Sequence, residues 1–162
     1  MASRAFVAGL VSVTVVLGCR LERLPPGKAM ADSETLRGII TAFHESLAAD
    51  DWDTFQGLFV EDASVSGTAV VGAQTVGSFW SGVRHWVEKT GAGQFDAEPS
   101  RVEIRYAGNV ATAWLTSTWT ADPSGVSPTV MQHRAVFVFL RHRNRWLLVT
   151  TLLDRQTAST LS

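Results

Sequence analysis

Residues 130–153, VMQHRAVFVFLRHRNRWLLVTTLL, carry the clearest indication of the fold. Two apolar runs, 130–140 and 146–153, show the two-residue alternation of β-strands and flank a short segment rich in arginine. This pattern predicts an antiparallel hairpin. The basic segment, 141–145, predicts a solvated turn, and a phosphate site is the alternative interpretation of its charge.

Both faces of this predicted hairpin are apolar. In the second strand, simple alternation separates two sets of residues: Leu147, Val149, Thr151 and Leu153 on one face, and Trp146, Leu148, Thr150 and Leu152 on the other. An antiparallel sheet with one face in water would alternate more cleanly between apolar and polar residues. We therefore expect the second face to be covered, either by a partner subunit or by the curled edge of the sheet itself.

Two more strands are predicted before this hairpin. Residues 101–106 and 110–120 alternate, and Gly108-Asn109 between them is a turn signal. In the longer strand, Trp114 lies on one face and Leu115 and Trp119 on the other. The sequence therefore predicts a meander of at least four antiparallel strands.

Helical periodicity dominates the part of the chain before the meander. A first helix is predicted to start near Asp32 or Ser33 and to bury one face, made of Leu36, Ile39, Ile40, Phe43 and Leu47. Asp51 caps a second, shorter helix with a buried side of Trp52, Phe55, Leu58 and Phe59. A short strand at 65–71, turning at Gly67, and a third helix over about 73–88 follow. Three helices followed by a meander predict an α+β fold with helices on one face of the sheet.

The amino terminus differs from the rest of the chain. Residues 5–17 form an uncharged apolar run, shorter than the roughly 20 residues that a membrane-spanning helix needs. Such a run after a short charged start is typical of a secretory signal. The run ends in Val16-Leu17-Gly18-Cys19, which resembles the lipobox of bacterial lipoproteins, and Cys19 is the only cysteine in the chain. We expect residues 1–19 to direct export, with lipidation at Cys19, or else to act as an ordinary cleaved signal or an uncleaved anchor.

Met30 offers a different starting point. If translation begins there, the product is a cytoplasmic domain. Residues 20–31 contain Pro25-Pro26-Gly27, which predicts a linker and not a helix. The folded domain is predicted to cover 32–157, followed by a tail at 158–162.

Composition excludes several functional classes. The formal net charge is −1, so the chain lacks the basic excess of a nucleic-acid-binding protein. The four histidines, His44, His85, His133 and His142, do not have the close spacing of a metal site. We expect no metal and no cofactor, and membrane contact only through the N-terminal anchor.

Several segments are similar to the SnoaL-like branch of the nuclear transport factor 2-like superfamily. They are AADDWDTFQGLFVEDA (48–63), IRYAGNVA (104–111), and HRAVFVF (133–139) with RWLLV (145–149). The resemblance covers roughly residues 33–156. It implies three N-terminal helices on a strongly curved antiparallel sheet, shaped as a cone with a central pocket between the first helix, the third helix and the concave face. It also implies homodimerisation through the sheet.

Members of this superfamily share a pocket but no common set of catalytic residues, so the resemblance alone does not assign a reaction. The candidate acid–base residues are His44 on the first helix, Asp62 after the second helix and His133 in the third strand. Each also has a structural interpretation. His44 could bond a neighbour or water, Asp62 could fix a turn, and His133 could meet solvent or a dimer partner. The candidate pocket residues are Phe43, Trp80, Trp114 and Arg134.

Two functions follow from these candidates. In the first, the exported domain binds a small apolar molecule or a protein partner in its pocket without turnover. In the second, it is a small cofactor-independent lyase, isomerase or hydrolase in which a pocket carboxylate or histidine acts as general acid or base. The sparse set of polar pocket candidates favours binding. Catalysis would require a buried carboxylate or histidine with a shifted pKa in the pocket.

Overall fold

A computed structural model of the chain describes residues 26–67, 74–92, 94–122 and 127–156. The helices are α1 (Pro26–Ala49), α2 (Trp52–Gly57) and α3 (Val76–Thr90). The strands are β1 (Phe59–Ser66), β2 (Gln74–Thr75), β3 (Gln94–Ala107), β4 (Val110–Asp122), β5 (Thr129–His142) and β6 (Arg145–Gln156). The predicted signal segment, Cys19 and the tail at 158–162 lie outside the described residues.

The six strands form one open sheet in the order β2-β1-β6-β5-β4-β3. Neighbouring strands pair antiparallel, except that β1 and β6 are parallel. A parallel pair needs a long connection between its strands, and here α3 and the whole β3–β5 meander provide it. The predicted α+β fold is confirmed, with one parallel pair that the sequence pattern did not indicate.

The helices cover one face of the sheet, and phenylalanine side chains fill much of the space between. The Phe43 ring of α1 lies 5.0 Å from that of Phe55 and 4.9 Å from that of Phe137, measured between centroids. All three side chains are fully buried. Aromatic side chains bury large areas, so this cluster holds α1 and α2 against the inner face of the sheet.

A β-bulge in β6 changes which residues face the core. The register of β5 and β6 shifts after Val138 and leaves Val149 as the extra residue. One extra residue inverts the alternation of a strand. Consequently two pairs share the inner face, Trp146 and Leu148 before the bulge and Thr151 and Leu153 after it. The simple alternation predicted for this strand was wrong.

The first helix begins at Pro26, six residues before the predicted start, so residues 26–31 do not belong to a linker. Proline is tolerated in a first helical turn because the N–H that it lacks has no helical acceptor there. Asp32 therefore lies within α1 and is not its cap. Its buried carboxylate accepts hydrogen bonds from Arg141 Nη1 at 3.1 Å and Trp146 Nε1 at 3.2 Å.

Several predicted boundaries agree closely with the structure. Asp51 caps α2 by accepting a hydrogen bond from the Thr54 backbone N–H at 3.0 Å, and left-handed Gly91 ends α3. The second helix ends earlier than expected, at Gly57, so Phe59 is the first residue of β1. β1 therefore begins before the strand predicted at 65–71.

Candidate functional site

His44 of α1 points into the domain, with 1% of its surface exposed. Its Nδ1 lies 2.7 Å from the Ile40 carbonyl oxygen, and its Nε2 lies 2.9 Å from Ser117 Oγ. A carbonyl oxygen can only accept, so in the neutral ring Nδ1 carries the proton and Nε2 the lone pair. Ser117 therefore donates its hydroxyl proton to His44.

Ser117 lies fully buried on the inner face of β4. Its Oγ also accepts a hydrogen bond from Trp119 Nε1 at 2.9 Å. The two residues are two positions apart in one strand, so they share a face. His44, Ser117 and Trp119 form a continuous hydrogen-bonded chain that runs from α1 to the sheet and fixes the orientation of all three side chains.

His133 on β5 is the direct cross-strand neighbour of Ser117 and is also buried, at 1% exposed. Its ring lies against the Trp119 indole, with centroids 4.5 Å apart and planes inclined by 50°. Its Nδ1 has no hydrogen-bond partner among the described residues. A buried polar atom without a partner costs about 1–3 kcal/mol, so this nitrogen marks a place where a further polar atom would be favourable.

Ala135, the next inward residue of β5, gives the sheet a small side chain beside His133. Its cross-strand neighbours are Leu115 on β4 and Leu153 on β6. Farther along the same face lies Thr151, whose buried hydroxyl also lacks a partner among the described residues. The inner face around Ala135 is therefore mostly apolar. It contains two unpaired polar atoms, His133 Nδ1 and the hydroxyl oxygen of Thr151, on opposite sides of Ala135.

Burial lowers the pKa of both histidines. For His44, loss of hydration lowers the pKa to about 4, although the hydrogen bond to Ile40 raises it, and nearby His133 lowers it further. For His133, burial is again the main cause and lowers the pKa to about 4, with Arg155 lowering and Asp154 raising it. With these lowered pKa values both rings are neutral at pH 7, and the hydrogen bonds of His44 are compatible with a neutral ring.

Asp62 lies apart from the histidines, with an exposed side chain. It lines a half-open cleft of about 720 Å³ between α2, β1 and the start of α3, together with Trp52, Glu61 and Val76. The cleft therefore lies at Asp62, whereas the two histidines with shifted pKa values, His44 and His133, lie elsewhere in the domain. We assign the candidate site to the histidines, because solvent satisfies exposed carboxylates, whereas buried His133 has an unpaired nitrogen.

Two predicted pocket residues lie on the helical side of the domain. Phe43 is a core residue whose ring centroid is 5.1 Å from that of His44. Trp80 is half-buried on α3, packs against Phe55 at 4.9 Å, and has the Arg84 guanidinium 4.9 Å from its ring. Phe43, but not Trp80, therefore packs against His44, which is its neighbour in sequence.

The other two predicted pocket residues, Trp114 and Arg134, lie on the outer face of the sheet. Both line a shallow groove of about 250 Å³ on that face. Trp114 is 39% exposed and has the Arg105 guanidinium 5.2 Å from its ring. They do not line the interior because they alternate with the inward residues Leu115 and Ala135.

Sequence reasoning did not assign Ser117 or Thr151 to the site. Ser117 could have been found, because it lies two residues from both Leu115 and Trp119, which were predicted to share a face. Thr151 could not be assigned from the alternation of a regular strand, since the bulge at Val149 changes its face.

Among residues 26–67, 74–92, 94–122 and 127–156, no group of three or more His, Cys, Asp or Glu side chains is arranged to hold a metal ion. No helix among these residues has the length and apolarity needed to cross a membrane.

Three helices against a curved, open six-stranded sheet define the cone-fold class of α+β proteins, the nuclear transport factor 2-like superfamily. The sequence profile of the SnoaL-like domain matches residues 36–152. The chain belongs to this SnoaL-like family.

Solved structures agree with this assignment. An NTF2-like protein with a cystatin-like fold from Novosphingobium aromaticivorans superposes with a TM-score of 0.70 at 17% identity, over 82% of this chain and 87% of that one. A hexachlorocyclohexane dehydrochlorinase from Novosphingobium barchaimii gives 0.69 at 7% identity, over 82% and 92%. The Kfla4162 protein of Kribbella flavida gives 0.68 at 10% identity, over 80% and 93%. At these identities the similarity shows the fold alone, and no curated protein matches the sequence.

Proposed function

We propose that the domain binds a small, largely apolar molecule against the inner face of its sheet and hydrogen-bonds one polar atom of that molecule through His133. The observation that carries this proposal is the Nδ1 of His133, which is buried and unpaired among the described residues. Trp119 beside it offers an aromatic face, and the small side chain of Ala135 flanks it. An apolar surface with a few converging polar atoms is the usual chemistry of a small-molecule site.

The neutral state of His133 indicates the kind of polar atom that it would bind. A neutral imidazole nitrogen accepts or donates according to its tautomer, so it pairs well with an uncharged hydroxyl or carbonyl group. A buried carboxylate ligand would instead need a protonated ring, which burial opposes here. The proposed ligand class is therefore neutral, apolar and ring-containing, with one hydroxyl or carbonyl group.

Acid–base catalysis is the second candidate. The structural similarity to a dehydrochlorinase and the free nitrogen of His133 favour it. A general base works best when its pKa lies near the working pH, whereas the pKa of His133 is about 4. This difference of about 3 pH units corresponds to about 4 kcal/mol of proton affinity. His133 is better suited to hydrogen bonding than to proton abstraction, so we place binding first.

The test is ligand-dependent thermal stabilisation with a panel of neutral aromatic alcohols and ketones. His133→Leu removes the polar atom and keeps an apolar side chain, and His85→Leu at an exposed position of α3 is the matched control. At about 100 times Kd, a bound compound stabilises by about 2.7 kcal/mol. We expect this gain in the parent and His85→Leu proteins and its loss in His133→Leu. An unchanged gain in His133→Leu would contradict the proposal, and turnover that depends on His133 would favour catalysis.

We further propose that two copies of the domain pair through the outer face of the sheet. Trp114, Val136 and Leu152 are direct cross-strand neighbours on that face, and Trp114 and Leu152 are 39% and 45% exposed. An exposed apolar row of this kind is typical of an interaction surface. Light scattering should give a dimer mass for the parent chain and a monomer mass for Leu152→Glu. A monomeric parent chain at high concentration would contradict this proposal.

A further inference from the structure

Two hairpin turns lie side by side at the end of the sheet where α1 begins. Gly108-Asn109 joins β3 to β4, and Arg143-Asn144 joins β5 to β6. The backbone N–H of Arg141 donates to the Asn109 carbonyl oxygen at 2.7 Å and holds the turns together. Between them is an open niche of about 290 Å³ whose lining side chains are all polar: Asn109, Arg141, Arg143 and Asn144.

The positive charge of this niche is partly fixed and partly free. Arg141 donates to Asp32 Oδ2 at 3.1 Å and lies 5.7 Å from the Trp146 ring, so its guanidinium is held in place. Asp32 offsets the charge of Arg141. In the described part of the chain, no hydrogen bond or ion pair occupies the exposed side chains of Arg143 and Arg145. The free charge within the niche therefore comes from Arg143, and Arg145, which follows the turn and is not a lining residue, adds a second cation close by in sequence.

The backbone of the turn carries a second unusual feature. Asn144 has φ 63°, a left-handed conformation that asparagine tolerates, whereas Arg143 has φ 49° in the same region. Glycine or asparagine would be less strained at such a hairpin position. The turn thus keeps an arginine at an unfavourable backbone position, where its side chain lines the niche.

We propose that this niche binds the phosphate group of an anionic phospholipid, so that this end of the domain faces a membrane surface. Guanidinium groups form paired hydrogen bonds to phosphate oxygens, and side-chain amides add further donors. Arg141, Arg143 and Asn109 supply both kinds of group from two adjacent turns. The basic segment is then a phosphate site, which was the alternative interpretation of its sequence.

The described domain begins with α1, close to the niche. This position favours a membrane lipid over a free phosphate ion as the source of the bound phosphate group. The contact of Asp32 with Arg141 places the first turns of α1 at this end of the sheet. Six residues lie between Cys19 and Pro26, and the seven Cα–Cα steps from Cys19 to Pro26 can span at most about 25 Å. The lipid proposed at Cys19 would therefore keep the niche close to the membrane surface.

The surplus positive charge at this end of the domain comes from the niche and its turn. Residues 20–34 carry three basic residues, Arg20, Arg23 and Lys28, and three acidic residues, Glu22, Asp32 and Glu34, so their charges cancel. The free cations are therefore Arg143 in the niche and Arg145 after the turn. Each basic residue near an anionic surface increases binding by about fivefold.

Sedimentation with lipid vesicles tests the proposal, using the chain from Arg20 onward, which contains every described residue. We expect binding to phosphatidylglycerol-containing vesicles, little binding to pure phosphatidylcholine vesicles, and loss of binding at high salt. Arg143→Gln with Arg145→Gln should weaken binding by about 25-fold, at about fivefold for each charge. The matched control, Lys89→Gln with Arg101→Gln, removes two exposed basic residues of α3 and β3 that do not line the niche, and it should leave the fold-change near one.

The same proteins separate the membrane from other sources of phosphate. Equal binding to neutral vesicles, or equal loss of binding in the two double variants, would overturn the proposal. Saturable binding of inorganic phosphate that needs Arg143, without vesicle binding, would show a soluble phosphate ligand and would also overturn it. If a duplex oligonucleotide binds as tightly as the vesicles do, the niche is part of a general polyanion-binding surface, and the proposal is overturned. Circular dichroism spectra of all variants confirm that each one is folded.

Discussion

The hydroxyl of Ser117 on β4 lies 2.9 Å from Nε2 of His44 on α1, and 73 positions separate the two residues in sequence. This contact connects the first helix to β4. The Ile40 carbonyl oxygen on the other side of the ring fixes the tautomer of neutral His44, because Nδ1 must donate to it. The same hydroxyl holds the Trp119 indole that packs against His133.

Ser117→Ala should lower the free energy of unfolding by about 2 kcal/mol, because it leaves His44 Nε2 and Trp119 Nε1 buried without their partner. Urea denaturation monitored by tryptophan fluorescence measures the change. Ser81→Ala is the matched control. Its exposed hydroxyl bonds only the Gly77 carbonyl oxygen within α3, so the change should stay below about 0.5 kcal/mol. Equal effects of the two substitutions would contradict the buried network.

His133→Leu should raise the stability of the ligand-free domain by up to about 1 kcal/mol at pH 7, because it removes an unpaired buried nitrogen. It should also abolish the ligand-dependent gain described above. The two results together are informative, because replacing a residue with a purely structural role should not raise the stability of the domain. A marked loss of stability in His133→Leu would indicate that the ring has a structural partner.

The domain should lose stability as the pH falls from about 6.5 to about 4. An unfolded histidine protonates near pH 6.5, whereas the folded pKa values of His44 and His133 are about 4. In that window the unfolded chain binds more protons, so acid favours unfolding, by up to about 3 kcal/mol for each histidine. Urea midpoints at pH 7.5, 5.5 and 4.5 test this. His133→Leu should show a smaller loss than the parent, and an equal loss would mean that other groups cause it.

Gly67→Ala should destabilise the domain by at least about 2 kcal/mol. Gly67 has φ 132°, and a Cβ there would overlap the backbone carbonyl of Leu153 on β6. Gly38→Ala is the opposite control, because Gly38 lies in α1 with open space around it. Alanine should stabilise that helix by about 0.5–1 kcal/mol. Thermal unfolding of both variants measures the contrast, and a neutral Gly67→Ala would show that β1 and β6 separate easily at this point.

Mass spectrometry of the protein from its producing cells should find Cys19 as the first residue, with a lipid attached, if the N-terminal segment works as proposed. A first residue of Met30 would instead indicate a cytoplasmic domain. A chain that starts at Met30 keeps Asp32 and should fold normally. Removal of Asp32 as well should lower stability by about 1–3 kcal/mol, because Trp146 Nε1 and Arg141 lose their buried acceptor.

The elements that depend on near neighbours in the chain could be predicted from the amino-acid sequence. Helical spacing, strand alternation and the cap residues Asp51 and Gly91 identified three helices and the four-stranded meander, because these signals act within a few residues of one another. The alternation of β4 and β5 placed Trp119 and His133 on different faces from Trp114 and Arg134, but it did not show which face is the inner one. Trp114 and Arg134 were predicted to line the pocket, and the structure places them on the outer face. The resemblance in segment order then indicated the cone fold.

The features that depend on pairing between distant segments became visible only in the folded molecule. The bulge at Val149 arises where β5 pairs with β6, and the parallel contact of β1 with β6 joins strands separated by most of the chain. Asp32 was predicted to cap α1, but in the structure its carboxylate accepts hydrogen bonds from Arg141 and Trp146. Ser117, His44 and His133 likewise form a site only because folding stacks α1 on the inner face of the sheet. Spacing along the chain carries no information about which distant atoms will meet, so these contacts required the folded molecule.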